Sequence, residues 1–331
     1  MATYKAEFLA HYYESQRRPL AAYAFGWIAM WARLASLAPD AANFFTQTPI
    51  VREVVKRALG VAPQRQLPAF ASQTFKSWFG RRRLSSANGA ESRTRPRVVL
   101  WADTFSNYLL PDAARAAVVV LEAAGFEVVL PNQDLCCGRP VYEYGMLETG
   151  RRLLRQTIDA LRPHIIAGTP IVGLEPSCVS VFRDELPNLF AGDPEAERLS
   201  RQVFTFAEFL RDHAPDLELR RLTAKALVQG HCQQRAIMGL GADEQLLNRL
   251  GIDYELLDSG CCGMAGAFGY EQGPRYEVSR TLGERVLLPA VRAASADTLI
   301  VADGFSCREQ IRQGTGRRAV HLAEVVRSAL A

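Results

Sequence analysis

The sequence predicts an α/β protein in which a helical arm precedes two tandem, pseudo-symmetric α/β domains. Two observations predict this architecture: strand and helix patterns alternate from residue 98 onward, and each half of that region holds an adjacent cysteine pair followed by glycine. The expected organisation is an arm over 1–79, a linker over 80–97, a first domain over 98–215 and a second over 216–331.

The arm is predicted to consist of consecutive helices with boundaries at Pro19, Pro39 and Pro49. Within it, apolar residues recur at spacings of three and four and form one helix face: Tyr23, Trp27, Met30, Trp31 and Leu34. Packing on the chain's own core is the favoured interpretation of this face. Docking to a partner or a membrane surface is the alternative.

The composition limits the functional classes. The 331 residues are 48% hydrophobic, and the formal charge of +4 arises from 39 Lys and Arg against 35 Asp and Glu, so nothing suggests a nucleic-acid partner. The apolar run at 20–32 is too short to span a bilayer, and it begins too late to favour an export signal. The linker, with Arg81, Arg82 and Arg83, is interpreted as solvated, with phosphate or anionic lipid binding as the alternative.

Seven cysteines, four of them in adjacent pairs, make a poor framework for disulfides and indicate a reducing compartment. We therefore expect a cytoplasmic protein, with a peripheral position at the inner face of the membrane as one option. The two pairs lie 125 residues apart, counted from 136 to 261, so each repeat has the size of a domain.

The predicted strands end just before the cysteine-bearing loops. In the first domain they cover 98–102, 126–130 and 170–174, with helices at 112–124 and 147–161. In the second domain they cover 226–229, 254–257 and 298–302, with a long helix at 275–294. Loops at the carboxyl ends of parallel strands meet at one crevice, so these cysteines are expected to converge.

The second domain offers four thiolates from Cys232, Cys261, Cys262 and Cys307. Four thiolates suit a [4Fe-4S] cluster and also tetrahedral zinc, and the ligand count alone does not choose between them. Helices beginning at Cys232 and Cys307 would favour thiolate over thiol. Gly263 after the second pair, like Gly138 after the first, permits the sharp turn that aims both cysteines at one site.

The first domain holds Cys136, Cys137 and Cys178, but Asp103 stands where the second domain has Cys232. Asp103 is interpreted either as a fourth metal ligand or as a helix cap, and the sequence supports both equally. A carboxylate is a poorer partner for iron–sulfur centres and an acceptable one for zinc, so this site is expected to hold a second cluster or zinc.

Five segments resemble the CCG-domain iron–sulfur oxidoreductases: LCCGRP (135–140), EPSC (175–178), GHCQQRAIMG (230–239), SGCCGMAGAFGYE (259–271) and DGFSC (303–307). This group includes the glycolate oxidase iron–sulfur subunit, the catalytic subunit of heterodisulfide reductase, and the C-terminal part of fused FAD-linked D-2-hydroxy-acid oxidases. The phrase DTFSNYLLP (103–111) is most similar to the fused oxidases. The resemblance implies electron transfer from a flavoprotein to a quinone or another acceptor.

The chain shows neither the C-x-x-C-x-x-C run of ferredoxins nor an identifiable flavin signature, so the FAD subunit and a ferredoxin-like domain are expected in another chain. A membrane-surface or quinone-reductase contact is a further option. The fullest family form has a fifth cysteine three residues before the last, where this sequence has Glu175 and Gly304. A thiol-disulfide reductase is therefore a weaker alternative, and a zinc-binding structural module is another.

Overall fold

The computed structural model describes residues 2–86 and 95–330. The arm is helical, as expected, and within 2–86 it contains α1 (Ala2–Tyr12), α2 (Leu20–Gly26), α3 (Ile28–Ala35), α4 (Pro39–Gln47), α5 (Pro49–Leu59) and α6 (Phe75–Ser86). The proline boundaries are confirmed: α2 begins directly after Pro19, and α4 and α5 begin at Pro39 and Pro49. Proline fits there because the first helical turn has no partner for a backbone N–H.

The predicted apolar face of the arm does not pack on the core, so that prediction was wrong. The helix is interrupted at Trp27, so the predicted face is divided between α2 and α3. These helices bury the small residues Ala22 and Ala32 instead. Four of the five predicted face residues are exposed by 38% or more, namely Tyr23, Met30, Trp31 and Leu34. Alanine faces let the helices approach the body closely, which turns the large side chains outward or into the cavity described below.

The expected linker begins as helix. The C-terminal half of α6 covers 80–86, because Phe75 and Phe79 at its start are buried in the main hydrophobic core. Arg82 and Arg83 pair with Glu122 and Glu127 rather than extending freely into solvent. Residues 87–94 of the expected linker lie outside the described residues.

The first unit has a parallel sheet with the order β2-β1-β3-β4. Its strands are β1 (Arg97–Trp101), β2 (Glu127–Val129), β3 (Ile171–Gly173) and β4 (Val203–Thr205). Its helices are α7 (Thr104–Tyr108), α8 (Asp112–Ala123), α9 (Arg139–Glu143), α10 (Leu147–Ala167), α11 (Pro176–Ser180), α12 (Leu186–Leu189), α13 (Pro194–Gln202) and α14 (Phe206–His213).

The second unit repeats this plan with a parallel sheet of order β6-β5-β7. Its strands are β5 (Lys225–Val228), β6 (Asp253–Leu256) and β7 (Leu299–Val301). Its helices are α15 (Cys232–Ile237), α16 (Gly241–Arg249), α17 (Pro274–Arg285), α18 (Leu287–Ala293), α19 (Phe305–Thr315) and α20 (Leu322–Ser328). The helix predicted over 275–294 is interrupted at Val286, whose φ of −142° is not helical.

The six predicted strands are confirmed to within one residue at each end, but β4 was missed. Its counterpart in the second unit is a single residue, Val320, which forms a parallel bridge with Val301 of β7. A capping box opens the following helix in both units, at Thr205 before α14 and at His321 before α20. The pseudo-symmetry therefore extends to the edge of each sheet.

One hydrophobic core joins the two units. It contains Leu100 of β1 and Val120 of α8 together with Val228 of β5, Val301 of β7 and Val326 of α20. The two sheets are thus held in one orientation, with their cysteine-bearing edges on the same cavity. No helix in 2–86 or 95–330 is both long and apolar enough to cross a membrane.

Candidate metal centres

The second unit brings its four cysteines to the carboxyl edge of its sheet. Cys232 begins α15 after β5, Cys261 and Cys262 lie in the loop after β6, and Cys307 lies in the first turn of α19 after β7. Thiol hydrogen bonds join Cys261 to Cys232 and to Cys262, and join Cys262 to Cys307. The four side chains form one connected group of sulfur donors.

Hydrogen bonding makes these thiols unequal. Contacts with Cys232 and Cys262, together with the backbone N–H of Gly263 at 3.3 Å, hold the pKa of Cys261 well below its usual value. Hydrogen bonds to Cys261 and Cys307, followed by burial, raise the pKa of Cys262. Cys261 is therefore the thiolate that is ready at neutral pH to receive a cation.

The first unit places three cysteines in the corresponding loops. Cys136 and Cys137 lie between β2 and α9, and Cys178 lies in α11 after β3. The Sγ atoms of Cys137 and Cys178 are 3.3 Å apart, and the N–H of Gly138 lies 3.5 Å from Cys136 Sγ. Hydrogen bonding to Cys137, followed by burial, raises the pKa of Cys136.

Asp103 lies next to this group, between β1 and α7, and is 1% exposed. Its Oδ1 accepts the N–H groups of Phe105 and Ser106 at 2.9 Å each, and its Oδ2 accepts the Ser106 hydroxyl. Burial, followed by repulsion from Glu175, raises its pKa. Both carboxylate oxygens are therefore engaged in capping α7, which favours the capping interpretation. The role of Asp103 as a metal ligand stays a prediction.

The two positions without a fifth cysteine have different uses. Glu175 is 3% exposed, and its Oε2 accepts the N–H of Phe305 at 2.8 Å, so it caps a helix of the opposite unit. At Gly304 a Cβ atom would lie 2.3 Å from Cδ2 of His231, which leaves no room for a thiol. At the two positions where the resemblance implies a fifth cysteine, the chain thus has a cross-unit contact on one side and a neighbouring imidazole on the other.

A single cavity of about 790 Å³ joins the two sites. Six of the seven cysteines line it, and Cys307, which is 1% exposed, lies behind them. The arm forms the opposite wall. Arg65 fastens the arm to the second unit by donating to Gly269 O, Gln310 Oε1 and Ser279 Oγ at 2.7, 2.7 and 2.9 Å. Arg18 fastens it to the first unit through Gly145 O at 2.9 Å.

Comparison with known proteins follows the same two-unit division. The cysteine-rich domain family called CCG matches residues 104–183 and 241–312, which contain each cysteine pair and the last cysteine of each unit. Lactate utilization protein A of Exiguobacterium sp. is 30% identical over 245 residues, which cover 70% of this chain and 97% of that protein. The chain belongs to the CCG family.

Two further relatives are larger than the shared region. The chain is 28% identical over 293 residues to one of the subunits of anaerobic glycerol-3-phosphate dehydrogenase from Escherichia coli strain K12, covering 87% of this chain and 72% of that protein. It is 27% identical over 327 residues to D-2-hydroxyglutarate dehydrogenase of the same strain, covering 95% of this chain but 31% of that protein. The chain therefore corresponds to one part of D-2-hydroxyglutarate dehydrogenase, the larger of these two relatives.

The donor set of this CCG protein fits an iron–sulfur group. Thiols dominate both sites, backbone N–H groups face sulfur atoms at Gly138 and Gly263, and apolar side chains surround them. Within residues 2–86 and 95–330, no three Cys, His, Asp or Glu side chains are arranged to hold one metal ion. Zinc also takes thiolate ligands, so the zinc alternative stays a prediction.

Sequence reasoning missed Arg139 and His231 beside the CCG motifs, and it missed the contact that Glu175 makes with the other unit. Arg139 follows Gly138 directly, is 6% exposed, and donates to Glu185 Oε1 at 2.7 Å. His231 precedes Cys232, and burial lowers its pKa to about 4, so the imidazole is neutral at pH 7. Glu175 crosses to the other unit, as described above. All three lie within the CCG motifs, and this position could have indicated that they contact the cysteine sites.

Proposed function

We propose that this chain is the iron–sulfur electron-transfer component of a flavin-linked 2-hydroxy-acid oxidoreductase. It receives electrons from a flavoprotein and passes them to a quinone or another acceptor. The observation that carries the proposal is the placement of two cysteine groups on one apolar cavity in a CCG protein. The relatives named for D-2-hydroxyglutarate and for lactate support a 2-hydroxy acid, of the glycolate or D-lactate type, as the electron source.

Cys232, Cys261, Cys262 and Cys307 would hold a [4Fe-4S] cluster, and Cys136, Cys137 and Cys178, with or without Asp103, would hold a second group. Such groups supply one-electron chemistry when bound. The chain's own residues supply the rest: Gly138 and Gly263 offer N–H donors to sulfur, and apolar side chains of the arm line the cavity beside the cysteines.

The partner in this proposal is an FAD-containing subunit together with a ferredoxin-like domain in another chain. That one relative is named as part of a dehydrogenase with several subunits supports a multi-chain assembly. The arm is the surface we assign to contacts outside the chain. Residues 1–86 carry twelve of the 39 basic residues and four of the 35 acidic ones, so basic charge is concentrated there. Exposed side chains such as Phe8, Leu37 and Ile50 lie on the same arm, which supports a peripheral position at an anionic membrane surface.

Anaerobic purification tests the metal assignment. The protein should be brown and should carry iron and acid-labile sulfide, and Cys232→Ser and Cys307→Ser should each remove the second-site share of both. Ser306→Ala is the matched control, because it changes the first turn of α19 without removing a thiol. Full retention of iron and sulfide in both cysteine variants would contradict the assignment of the second site.

A second measurement tests the division of labour between chains. The isolated protein should bind no stoichiometric FAD and should not oxidise D-lactate, yet an added reduced flavoprotein should reduce it. Turnover of D-lactate by this chain alone would show that the proposed role is wrong.

A further inference from the structure

Arg65 carries a positive charge from the arm into the interior of the second unit. The residue is 5% exposed, and its guanidinium carbon lies 5.2 Å from the ring centre of Tyr276 and 6.0 Å from that of Tyr270. Burial lowers the pKa of this guanidinium, yet an arginine side chain stays charged at neutral pH. The two aromatic rings offset part of the cost of removing this charge from water.

Neutral groups hold Arg65 in this position. Its three acceptors described above are a backbone carbonyl, an amide oxygen and a hydroxyl. The carboxylate that acts on the guanidinium electrostatically is Glu309, and that carboxylate is itself paired with Arg312 at 2.9 Å. A carboxylate in contact would cancel most of the field of the guanidinium, whereas neutral acceptors leave its full charge acting on the surroundings.

Gln310 connects Arg65 to the cysteine pair of the second site. Its Oε1 accepts a hydrogen bond from Arg65 Nη1 at 2.7 Å, and its Nε2 donates to the backbone oxygen of Cys262 at 3.0 Å. One amide group therefore separates the guanidinium from the backbone of a candidate ligand. Negative charge on Cys262 in turn favours the charged form of Arg65, so the two groups lie within electrostatic reach of each other.

The first site has a buried arginine of a different kind. Arg139 acts electrostatically on two of the first-site cysteines, but it donates to Glu185 at 2.7 Å and lies 3.6 Å from Glu143. Carboxylates in contact therefore balance the charge of Arg139. The two buried arginines are not equivalent, because Arg65 brings a net positive charge to its site and Arg139 does not.

We propose that Arg65 raises the reduction potential of the iron–sulfur group held by Cys232, Cys261, Cys262 and Cys307. The inference rests on the proposed function and adds how its second site is tuned. One electron lost by the reduced flavoprotein adds one negative charge to this site, and no bond of the chain forms or breaks. A fixed positive charge nearby stabilises the reduced state more than the oxidised state. Because Arg65 belongs to the arm, the position of the arm and the potential of the second site are linked.

Potentiometric titration of the anaerobically purified holoprotein, followed by EPR spectroscopy, tests this assignment. The second-site signal is the one that Cys307→Ser removes. Arg65→Met should shift the one-electron reduction equilibrium of this signal about tenfold toward the oxidised state, which corresponds to about 59 mV. Unit charges about 10 Å apart have an effect of about this size at an effective dielectric constant of about 20. Arg65→Gln, which is uncharged but still donates a hydrogen bond, should give the same shift.

Two controls retain the charge or remove one from another position. Arg65→Lys keeps a cation at this position, so its second-site equilibrium should stay within about twofold of wild type. Arg57→Met removes an exposed arginine from the same arm, where solvent screens the charge, and it should leave the potential unchanged. The first-site signal should not shift in any of these variants.

The sign of the shift separates the charge of Arg65 from its role in fastening the arm. Loosening of the arm alone would admit water, which stabilises the added negative charge and would raise the potential. A lower potential in Arg65→Met that Arg65→Lys restores supports the proposal. An unchanged or raised potential in Arg65→Met and Arg65→Gln, or an equal shift in Arg65→Lys, would overturn the proposal while electron transfer stands. Absence of iron and sulfide in wild type, or a centre that the reduced flavoprotein does not reduce, would instead refute the proposed function and the tuning with it.

Discussion

A methyl group added at Gly263 should both destabilise the fold and displace the cysteine pair of the second site. Its φ is +92°, and an added Cβ would lie 2.2 Å from the backbone oxygen of Ser279 in α17. A positive φ costs a non-glycine residue about 1–2 kcal/mol. The contact is also about 1 Å shorter than van der Waals contact, and relieving such overpacking costs about 1–3 kcal/mol. We therefore expect Gly263→Ala to lower the free energy of unfolding by about 2–5 kcal/mol.

The added Cβ would clash with a backbone atom of α17. A shift of the loop that carries Cys261 and Cys262 would relieve this clash at a lower energy than a shift of the helix. That shift would separate the pair from Cys307 and reduce second-site iron. Gly260→Ala is the matched control, because Gly260 also has a positive φ, +63°, and precedes the same pair, but its added Cβ would meet no atom within 4 Å. It should show the backbone strain alone, about 1–2 kcal/mol, with iron retained.

The assay combines urea unfolding with iron and sulfide determination on the two variants and wild type, all purified anaerobically. If Gly263→Ala is no less stable than Gly260→Ala and holds as much iron, then close approach of the loop to α17 does not position the cysteine pair.

Three further predictions concern single side chains. Asp103→Cys should raise iron per chain or bring the two reduction potentials together, and Asp103→Ala should lower metal content; unchanged values in both would leave Asp103 as a cap alone. Burial lowers the pKa of His231 from 6.5 to about 4, so between these pH values the unfolded chain binds a proton that the folded chain does not. The free energy of unfolding should therefore decrease as the pH decreases. From pH 7 to 5 this loss is about 2 kcal/mol, and urea unfolding of His231→Asn, which keeps a capping acceptor, should show a shallower decline. Arg65→Met should cost about 2–4 kcal/mol and make the arm sensitive to protease, whereas the exposed Arg57→Met should do neither; equal proteolysis of both variants would contradict the tether.

The central strands and the order of the cysteine loops could be predicted because their signals are local. The run at 98–102 is apolar without interruption, and turn residues follow it. The same reasoning missed β4, which has three residues and leads directly into α14 without a turn signal. It also predicted one continuous helix across Val286, where nothing in the local pattern indicates the break that divides α17 from α18.

The position of the arm over the cysteine sites could not be predicted, because the contacts that fix it join residues distant in sequence. Arg65 donates a hydrogen bond to Gln310, 245 positions away. From the neighbouring residues alone, an arginine is predicted to be solvated.

The role of Asp103 stayed open for a different reason. A strand-end aspartate suits both capping and metal binding, and only the two N–H groups at 2.9 Å favour one of them.

The common core that contains Leu100, Val228 and Val326 has a consequence for electron flow. Close-packed interiors have low compressibility, so the two cysteine groups cannot swing toward or away from each other as domains on a flexible hinge do. In the proposed function, the gap that an electron would cross between the two sites is therefore set by the fold. Gating would then come from docking of the donor or from exchange of the acceptor.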